Sequence, residues 1–162
     1  MTRIRLALFT ALSLIFTPLA AQDFQKGLTA YNAGDYATAL KEWKPLAETG
    51  NEVAQYNLGH TYYNGQGVSQ DYAEAVKWYR LAAEQGVALA QINLGFMYDE
   101  GNGVPQDYAM AHMWYNIGAA NGHKLSGTNR DSLSKQMTPS DISKAQAMAR
   151  ECMSSGYKKC GH

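Results

Sequence analysis

A 36-residue unit that occurs twice in succession, in residues 51–86 and 87–122, constrains this chain more than any other feature. The matching pairs include Leu58/Leu94, Gly59/Gly95, Tyr62/Tyr98, Gly65/Gly101, Gly67/Gly103, Val68/Val104, Asp71/Asp107, Tyr72/Tyr108, Ala75/Ala111, Trp78/Trp114, Tyr79/Tyr115 and Gly86/Gly122. A fixed period of roughly 20–50 residues indicates stacked supersecondary units, each of which buries its apolar face only against its neighbours. Because such folds usually act as surfaces, the repeat favours a binding function.

A shorter copy precedes these two units. Residues 35–37 repeat residues 71–73, but Gly27 lies 8 residues before Asp35, whereas Gly59 lies 12 residues before Asp71. The first copy has therefore lost the G-x-G-V segment and turns through residues 32–34 instead. A terminal unit is expected to be atypical, because one of its faces meets water.

The first half of each full unit has a helical pattern. Ala54, Leu58 and Tyr62 are spaced by four and form one face, and the next unit repeats this spacing. Gly59 lies inside the same helix, where glycine costs about 1 kcal/mol relative to alanine. We therefore expect Gly59 to permit a close helix contact.

The second half begins with turn and capping residues. Gly65 and Gly67 end the first helix and supply positive-φ positions. Asp71 is expected to cap the second helix, with Glu74 completing a capping box. The aspartates at the equivalent positions of the other copies are expected to cap in the same way.

These residues resemble the Sel-one-like repeat, a relative of the tetratricopeptide repeat with the pattern A-x-x-x-L-G-x-x-Y-x-x-G-x-G-V-x-x-D-x-x-x-A-x-x-W-[YF]-x-x-A-A-x-x-G. The resemblance covers residues 51–122 closely and 24–50 loosely, and residues 129–145 look like a closing segment. It implies an all-α fold, an α-solenoid of antiparallel helix pairs. The expected organisation is a signal peptide at 1–21, a repeat domain at 22–153 and a tail at 154–162. Within the repeat domain we expect units at 22–50, 51–86 and 87–122, followed by closing helices at 123–153.

The N-terminus has the pattern of a cleavable secretory signal. Arg3 and Arg5 precede an apolar run over residues 6–16, and small residues lead to Ala21. A membrane span needs roughly 20 apolar residues, and Pro18 interrupts this run. We expect cleavage after Ala20 or Ala21, a periplasmic or secreted mature protein, and no stable membrane insertion after cleavage.

The charge pattern excludes some partners. The chain has 14 Lys+Arg and 14 Asp+Glu. Removing the signal with its two arginines leaves 12 − 14 = −2. Near-neutral, interspersed charge is not the footprint of a nucleic-acid or anionic-membrane binder. The expected partner is another protein or peptide, and no cofactor is expected.

The two cysteines, Cys152 and Cys160, are close together near the end of the chain. In an exported protein such a pair is most simply a disulfide. A last helix is expected from Pro139 to Cys152 with Thr138 as its cap. Residues 154–156 are expected to turn the tail back, so that the bridge holds the end of the chain.

Catalytic signals are sparse. The histidines His60, His112, His123 and His162 form no metal-ligand motif, so no metal is expected. Ser132 and Lys135 match an S-x-x-K motif, but the accompanying S-D-N and K-T-G elements do not occur. We interpret the protein as a non-enzyme. The resemblance to cysteine-rich Sel-one-like proteins keeps a β-lactam-binding or weakly hydrolysing enzyme as the alternative.

The remaining candidates lie on the first helices, whose face in such superhelices usually receives extended peptides or partner helices. Positions that differ between the units are the candidate partner-binding residues Tyr56, His60, Tyr63, Ile92, Phe96 and Asp99. Ile92 and Phe96 are equally compatible with filling the interface between units. Asp99 and Glu100, at a helix end, are expected to be solvated. The repeated pairs Gln55/Gln91 and Asn57/Asn93 are expected to make backbone or inter-repeat hydrogen bonds.

The sequence thus predicts an exported repeat scaffold for protein–protein interaction. Two partner classes remain open by resemblance. One is an envelope or signalling protein, for which the chain is an adaptor. The other is a secreted toxin, for which it is a periplasmic immunity factor.

Overall fold

The structure is a computed structural model that describes residues 19–161, with side chains from residue 24 onward. This part of the chain is helical and contains no β-strand. The helices are α1 (Leu19–Asn32), α2 (Tyr36–Glu48), α3 (Glu52–Asn64), α4 (Tyr72–Ala83), α5 (Ala88–Glu100), α6 (Tyr108–Ala120), α7 (Lys124–Ser134) and α8 (Pro139–Ser154). The predicted all-α fold is confirmed.

The predicted signal peptide lies mostly outside the described residues, because only its last three residues, 19–21, belong to α1. Between residues 19 and 161, no helix is both long enough and apolar enough to cross a membrane.

The helices pack in sequential pairs. α1 packs against α2, α3 against α4, and α5 against α6, and the second helix of each pair also contacts the first helix of the next. The chain therefore stacks as a repeat array. α8 departs from this order, because it packs against α6 rather than against α7.

Aromatic rings from the second helices pack directly against glycines on the first helices. A Cβ on Gly59 would lie 2.6 Å from Cδ1 of Tyr79, and one on Gly95 would lie 2.7 Å from Cδ1 of Tyr115. The first pair uses Gly27 in the same way, against the Trp43 indole. The close contact expected at Gly59 is confirmed, and its partner is an aromatic ring.

The second helices begin at aspartate caps, as predicted. The side chains of Asp35, Asp71 and Asp107 accept hydrogen bonds from backbone N–H groups three residues later, at 3.0–3.1 Å. The predicted capping box at Glu74 is wrong. The Asp71 N–H donates to the Tyr62 carbonyl, and the Glu74 carboxylate pairs with the Lys77 ammonium.

Buried amides join consecutive pairs. Nε2 of Gln55 donates to the Ala47 carbonyl at 3.0 Å, and Nε2 of Gln91 donates to the Ala83 carbonyl at the same distance. Both glutamines are almost completely buried. Each side chain thus links the first helix of one unit to the second helix of the unit before it, which confirms the prediction for this pair of residues.

The C-terminal segment folds back over the array. Cys152 and Cys160 form the predicted disulfide, and both are buried. The last helix extends two residues beyond the predicted Cys152, because the chain leaves the helix only at Ser155 and Gly156. The hydroxyl of Tyr157 then hydrogen-bonds the Asn121 side chain at the end of α6.

Candidate functional site

Three clefts lie along the surface formed by α1, α3, α5 and α7, here called the first-helix face. The α1–α3 cleft has a volume of about 230 Å³, the α3–α5 cleft about 180 Å³ and the α5–α7 cleft about 200 Å³. His60 lines the first two clefts, and Phe96 lines the last two. The clefts therefore lie in a row, here called the groove, with these two side chains as the ridges between them.

The floors of the clefts are aromatic rings from the second helices. Trp43 lies in the α1–α3 cleft, Tyr79 in the α3–α5 cleft and Tyr115 in the α5–α7 cleft, each about 1% exposed. These are the rings that lie on Gly27, Gly59 and Gly95. The glycines therefore let each ring lie close to the first helix, at the base of its cleft.

Asparagines at the same repeat position accompany the rings. Asn57, Asn93 and Asn129 each line one cleft. Burial raises the pKa of the Tyr79 hydroxyl, and hydrogen bonding to Asn93 opposes this shift. Burial likewise raises the pKa of Tyr56, and Asn93 opposes that shift as well.

The predicted α3 residues divide between two clefts. Tyr56 lines the α1–α3 cleft, Tyr63 lines the α3–α5 cleft, and His60 lies between them. Nδ1 of His60 lies 3.2 Å from the Tyr31 hydroxyl, which also donates to Oε1 of Gln66 at 3.0 Å. Burial lowers the pKa of His60, so this ridge is neutral at pH 7.

The predicted α5 residues have different surroundings. Phe96 is 37% exposed and forms the ridge between two clefts. Ile92 lines none of the three clefts and packs against the core, as the alternative interpretation for this residue held.

The expectation that Asp99 lies solvated at the helix end is wrong. Its carboxylate is half-buried in the α5–α7 cleft and accepts a hydrogen bond from the Tyr115 hydroxyl at 3.3 Å. Burial is the main cause that raises the pKa of Asp99, and this hydrogen bond opposes the shift. Glu100 lines the same cleft and is exposed.

The α5–α7 cleft also contains residues that were not predicted as partner contacts. Ser132, Leu133 and Gln136 complete its α7 wall. Ser132 lies 36 residues after Phe96, and Gln136 lies 36 after Glu100. Extending the 36-residue register past residue 122 would have identified both positions. No group of three or more potential metal ligands lies together in the part of the chain that the structure describes.

Comparisons with known proteins agree with this architecture. A sequence model of the Sel1 repeat matches residues 53–87 and 88–123. A protective antigen of uropathogenic Escherichia coli strains with an SLR fold superposes with a TM-score of 0.79 and 29% identity. The match covers 85% of this chain and 31% of that protein, so the chain spans less than a third of its relative. No curated protein matches the sequence.

A second solved structure is similar over nearly its whole length. The Sel1 repeat protein from Oxalobacter formigenes superposes with a TM-score of 0.65 and 30% identity, covering 70% of this chain and 88% of that one. Sel1 repeat proteins generally act as scaffolds for protein–protein interactions, and their fold is typically non-enzymatic. The identity, the coverage and the two matched repeats together show that this chain belongs to the Sel1 repeat family.

Proposed function

We propose that this protein is an exported scaffold that binds an extended segment of another protein along its first-helix face. The observation that carries the proposal is this row of three clefts, in which the floors stay aromatic and the ridges between the clefts vary. Its aromatic floors recur at 36-residue intervals, whereas its ridges change from His60 to Phe96. A constant frame with changing exposed side chains supports recognition of one particular sequence of side chains.

A compartment outside the cytoplasm fits the chemistry of the C-terminus. The buried Cys152–Cys160 disulfide is typical of proteins that fold in an oxidising compartment, and the predicted signal peptide points the same way. Both partner classes suggested by the sequence, an envelope or signalling protein and a secreted toxin, are met in such a compartment.

Site-specific photo-crosslinking in the native host tests the proposal directly. A benzophenone amino acid at position 96 should crosslink a partner, because Phe96 is the exposed ridge between two clefts. Position 125 is the matched control, because Leu125 is also exposed and apolar but lines none of the three clefts. Equal crosslinking from both positions, or crosslinking only from position 125, would place the partner on another surface.

Affinity and stability measured on the same variants separate contact residues from core residues. Tyr63→Ala and Phe96→Ala should weaken binding of the crosslinked partner about thirtyfold, the effect of losing a typical anchor of about 2 kcal/mol. Leu94→Ala should instead lower the free energy of unfolding by about 2–5 kcal/mol, because Leu94 is completely buried. If Phe96→Ala unfolds the protein as readily as Leu94→Ala, Phe96 is a core residue and the groove loses its central ridge.

The β-lactam alternative has a simple test. Ser132 lines the α5–α7 cleft and Lys135 is the exposed C-cap of α7, but no hydrogen bond joins the two side chains among the described contacts. Hydrolysis of a chromogenic cephalosporin that disappears in Ser132→Ala would support the enzyme. Hydrolysis that is unchanged in Ser132→Ala would not depend on Ser132 and would not support this alternative.

A further inference from the structure

Charge is distributed unevenly along the groove. The α1–α3 and α3–α5 clefts are lined by neutral side chains, since burial also keeps His60 neutral. The α5–α7 cleft contains two carboxylates, from Asp99 and Glu100. The groove therefore changes from neutral and aromatic at one end to acidic at the other.

No lysine or arginine within the described residues neutralises the acidic end of the groove. Asp99 and Glu100 form no ion pair with a lysine or arginine between residues 24 and 161. On the facing helix, the Arg130 guanidinium donates instead to the Asp131 carboxylate at 2.7 Å and to the Asn116 amide oxygen at 3.1 Å. The two carboxylates of the cleft therefore remain available to an external cation.

The Glu100 carboxylate influences both clefts beside Phe96. Burial is the main cause that raises the pKa of Tyr115 in the α5–α7 cleft and that of Tyr63 in the α3–α5 cleft, and Glu100 adds to both shifts. Phe96 lies between these two clefts. A bound segment therefore meets an apolar ridge and an acidic wall next to each other.

We propose that the segment recognised by this groove carries a lysine or arginine that contacts Asp99 and Glu100, next to an apolar or aromatic side chain against Phe96. This inference rests on the proposed function and adds the chemistry of the partner. Phe96 lies three and four residues before Asp99 and Glu100 on α5, and residues at this spacing on a helix are about 6 Å apart. An extended chain covers that distance in about two residues, at roughly 3.3 Å per residue. The expected signature is a cation about two positions from an apolar residue.

The cleft fits a cationic side chain better than a bare metal ion. Calcium takes 6–8 oxygen ligands, whereas the charged groups here are two carboxylates, of which one already accepts the Tyr115 hydroxyl. Lysine and arginine have apolar stems that can lie along Phe96 and Leu133 while the charged end reaches the acids. Charge-assisted hydrogen bonds to these acids would also fix the direction of the segment.

Selection of random twelve-residue peptides displayed on phage tests the inference. Selected peptides should be enriched in a Lys or Arg about two residues from an apolar side chain. Their Kd should rise about tenfold in Asp99→Asn/Glu100→Gln, the effect of losing a charge-assisted hydrogen bond. The charge-matched control is Glu48→Gln/Glu151→Gln, two exposed acids that line none of the three clefts. It should change Kd less than twofold.

A double-mutant cycle assigns the cation to the cleft. Replacing the peptide's Lys or Arg by Gln should weaken binding to the native protein and have little further effect on Asp99→Asn/Glu100→Gln. Peptides that need Phe96 and Tyr63 but show no preference for a cation would overturn this inference and leave the proposed function standing. Failure to select peptides, or binding indifferent to Phe96→Ala and Tyr63→Ala, would overturn the proposed function itself. Circular dichroism and Tm confirm that each variant is folded.

Discussion

The substitution Gly95→Ala offers a sharp test of how the groove is built. A Cβ at this position would lie 2.7 Å from both Cδ1 and Cε1 of Tyr115 and 3.3 Å from the Ala111 carbonyl oxygen. The Tyr115 ring is about 1% exposed, and its hydroxyl is held by Asp99. Because the ring is almost completely buried and its hydroxyl is held in place, we expect the added methyl group to push apart α5 and α6.

Gly127 provides a matched control, because it also lies inside a first helix. A Cβ there would meet only the Ala119 Cβ, at 3.8 Å, which is ordinary contact. Gly127→Ala should therefore show the helix-propensity gain alone, up to about 1 kcal/mol. The Gly95→Ala variant gains the same helix propensity, but overpacking lowers the free energy of unfolding by about 1–3 kcal/mol. We expect a value at the upper end of this range, because the obstructing ring is buried. The expected net loss is about 2 kcal/mol.

The two variants should thus differ by about 3 kcal/mol in the free energy of unfolding. This corresponds to roughly 10 °C in Tm for a chain of this size. Urea unfolding followed by circular dichroism at 222 nm measures the difference, with the m-value expected to stay constant.

The reasoning is refuted if Gly95→Ala is as stable as Gly127→Ala. A second check uses the Tyr115→Ala background, in which the obstructing ring is absent. There Gly95→Ala should become neutral or stabilising, and a persistent penalty would mean that Tyr115 is not its cause.

Three further predictions concern stability. Reduction of Cys152–Cys160 should lower the free energy of unfolding by about 2.5 kcal/mol in the chain-entropy model, as measured by urea unfolding with and without reductant. Asp107→Ala should lower it by about 1 kcal/mol, because the N–H of the third helical residue loses its acceptor, and thermal unfolding would show the change. Burial lowers the pKa of His112 and that of His60 below the 6.5 that the unfolded chain retains. Protons therefore bind preferentially to the unfolded state, so the urea midpoint should fall as pH decreases from 7.5 to 5.5, and fall less in His112→Gln.

The sequence was sufficient to predict the helices and their caps, because these depend on local signals within one unit. The cap at Asp71 depends only on the backbone N–H three residues later. The turn glycines are determined only by a local positive φ. The cleft floors were not predicted, because a 36-residue period shows that Tyr79 recurs but not which side of the helix pair its ring reaches. That information lies in Gly59, whose missing side chain lets the ring through.

Two other features depended on distant partners. Asp99 was expected in solvent because it ends a helix, but its partner Tyr115 lies 16 residues later on the next helix. The packing of α8 on α6 had no counterpart in the repeat, since Arg150 and Glu151 stand 36 residues after the core residues Trp114 and Tyr115. Both outcomes are set by tertiary contacts that a periodic pattern does not contain.

The amides between units have a consequence for how such an array can change in length. Gln91 donates from the start of one unit to Ala83 near the end of the unit before it, as Gln55 does to Ala47. A duplicated stretch of 36 residues would therefore carry a glutamine side chain that donates to the preceding copy. It would also carry a backbone carbonyl that accepts from the glutamine of the following copy. Gly127 lies 36 residues after Gln91, at the start of α7, and has no side-chain amide to donate to α6. A second copy of residues 87–122 inserted after residue 122 would consequently leave no buried glutamine side chain without its acceptor, and we expect it to lengthen the groove by one cleft.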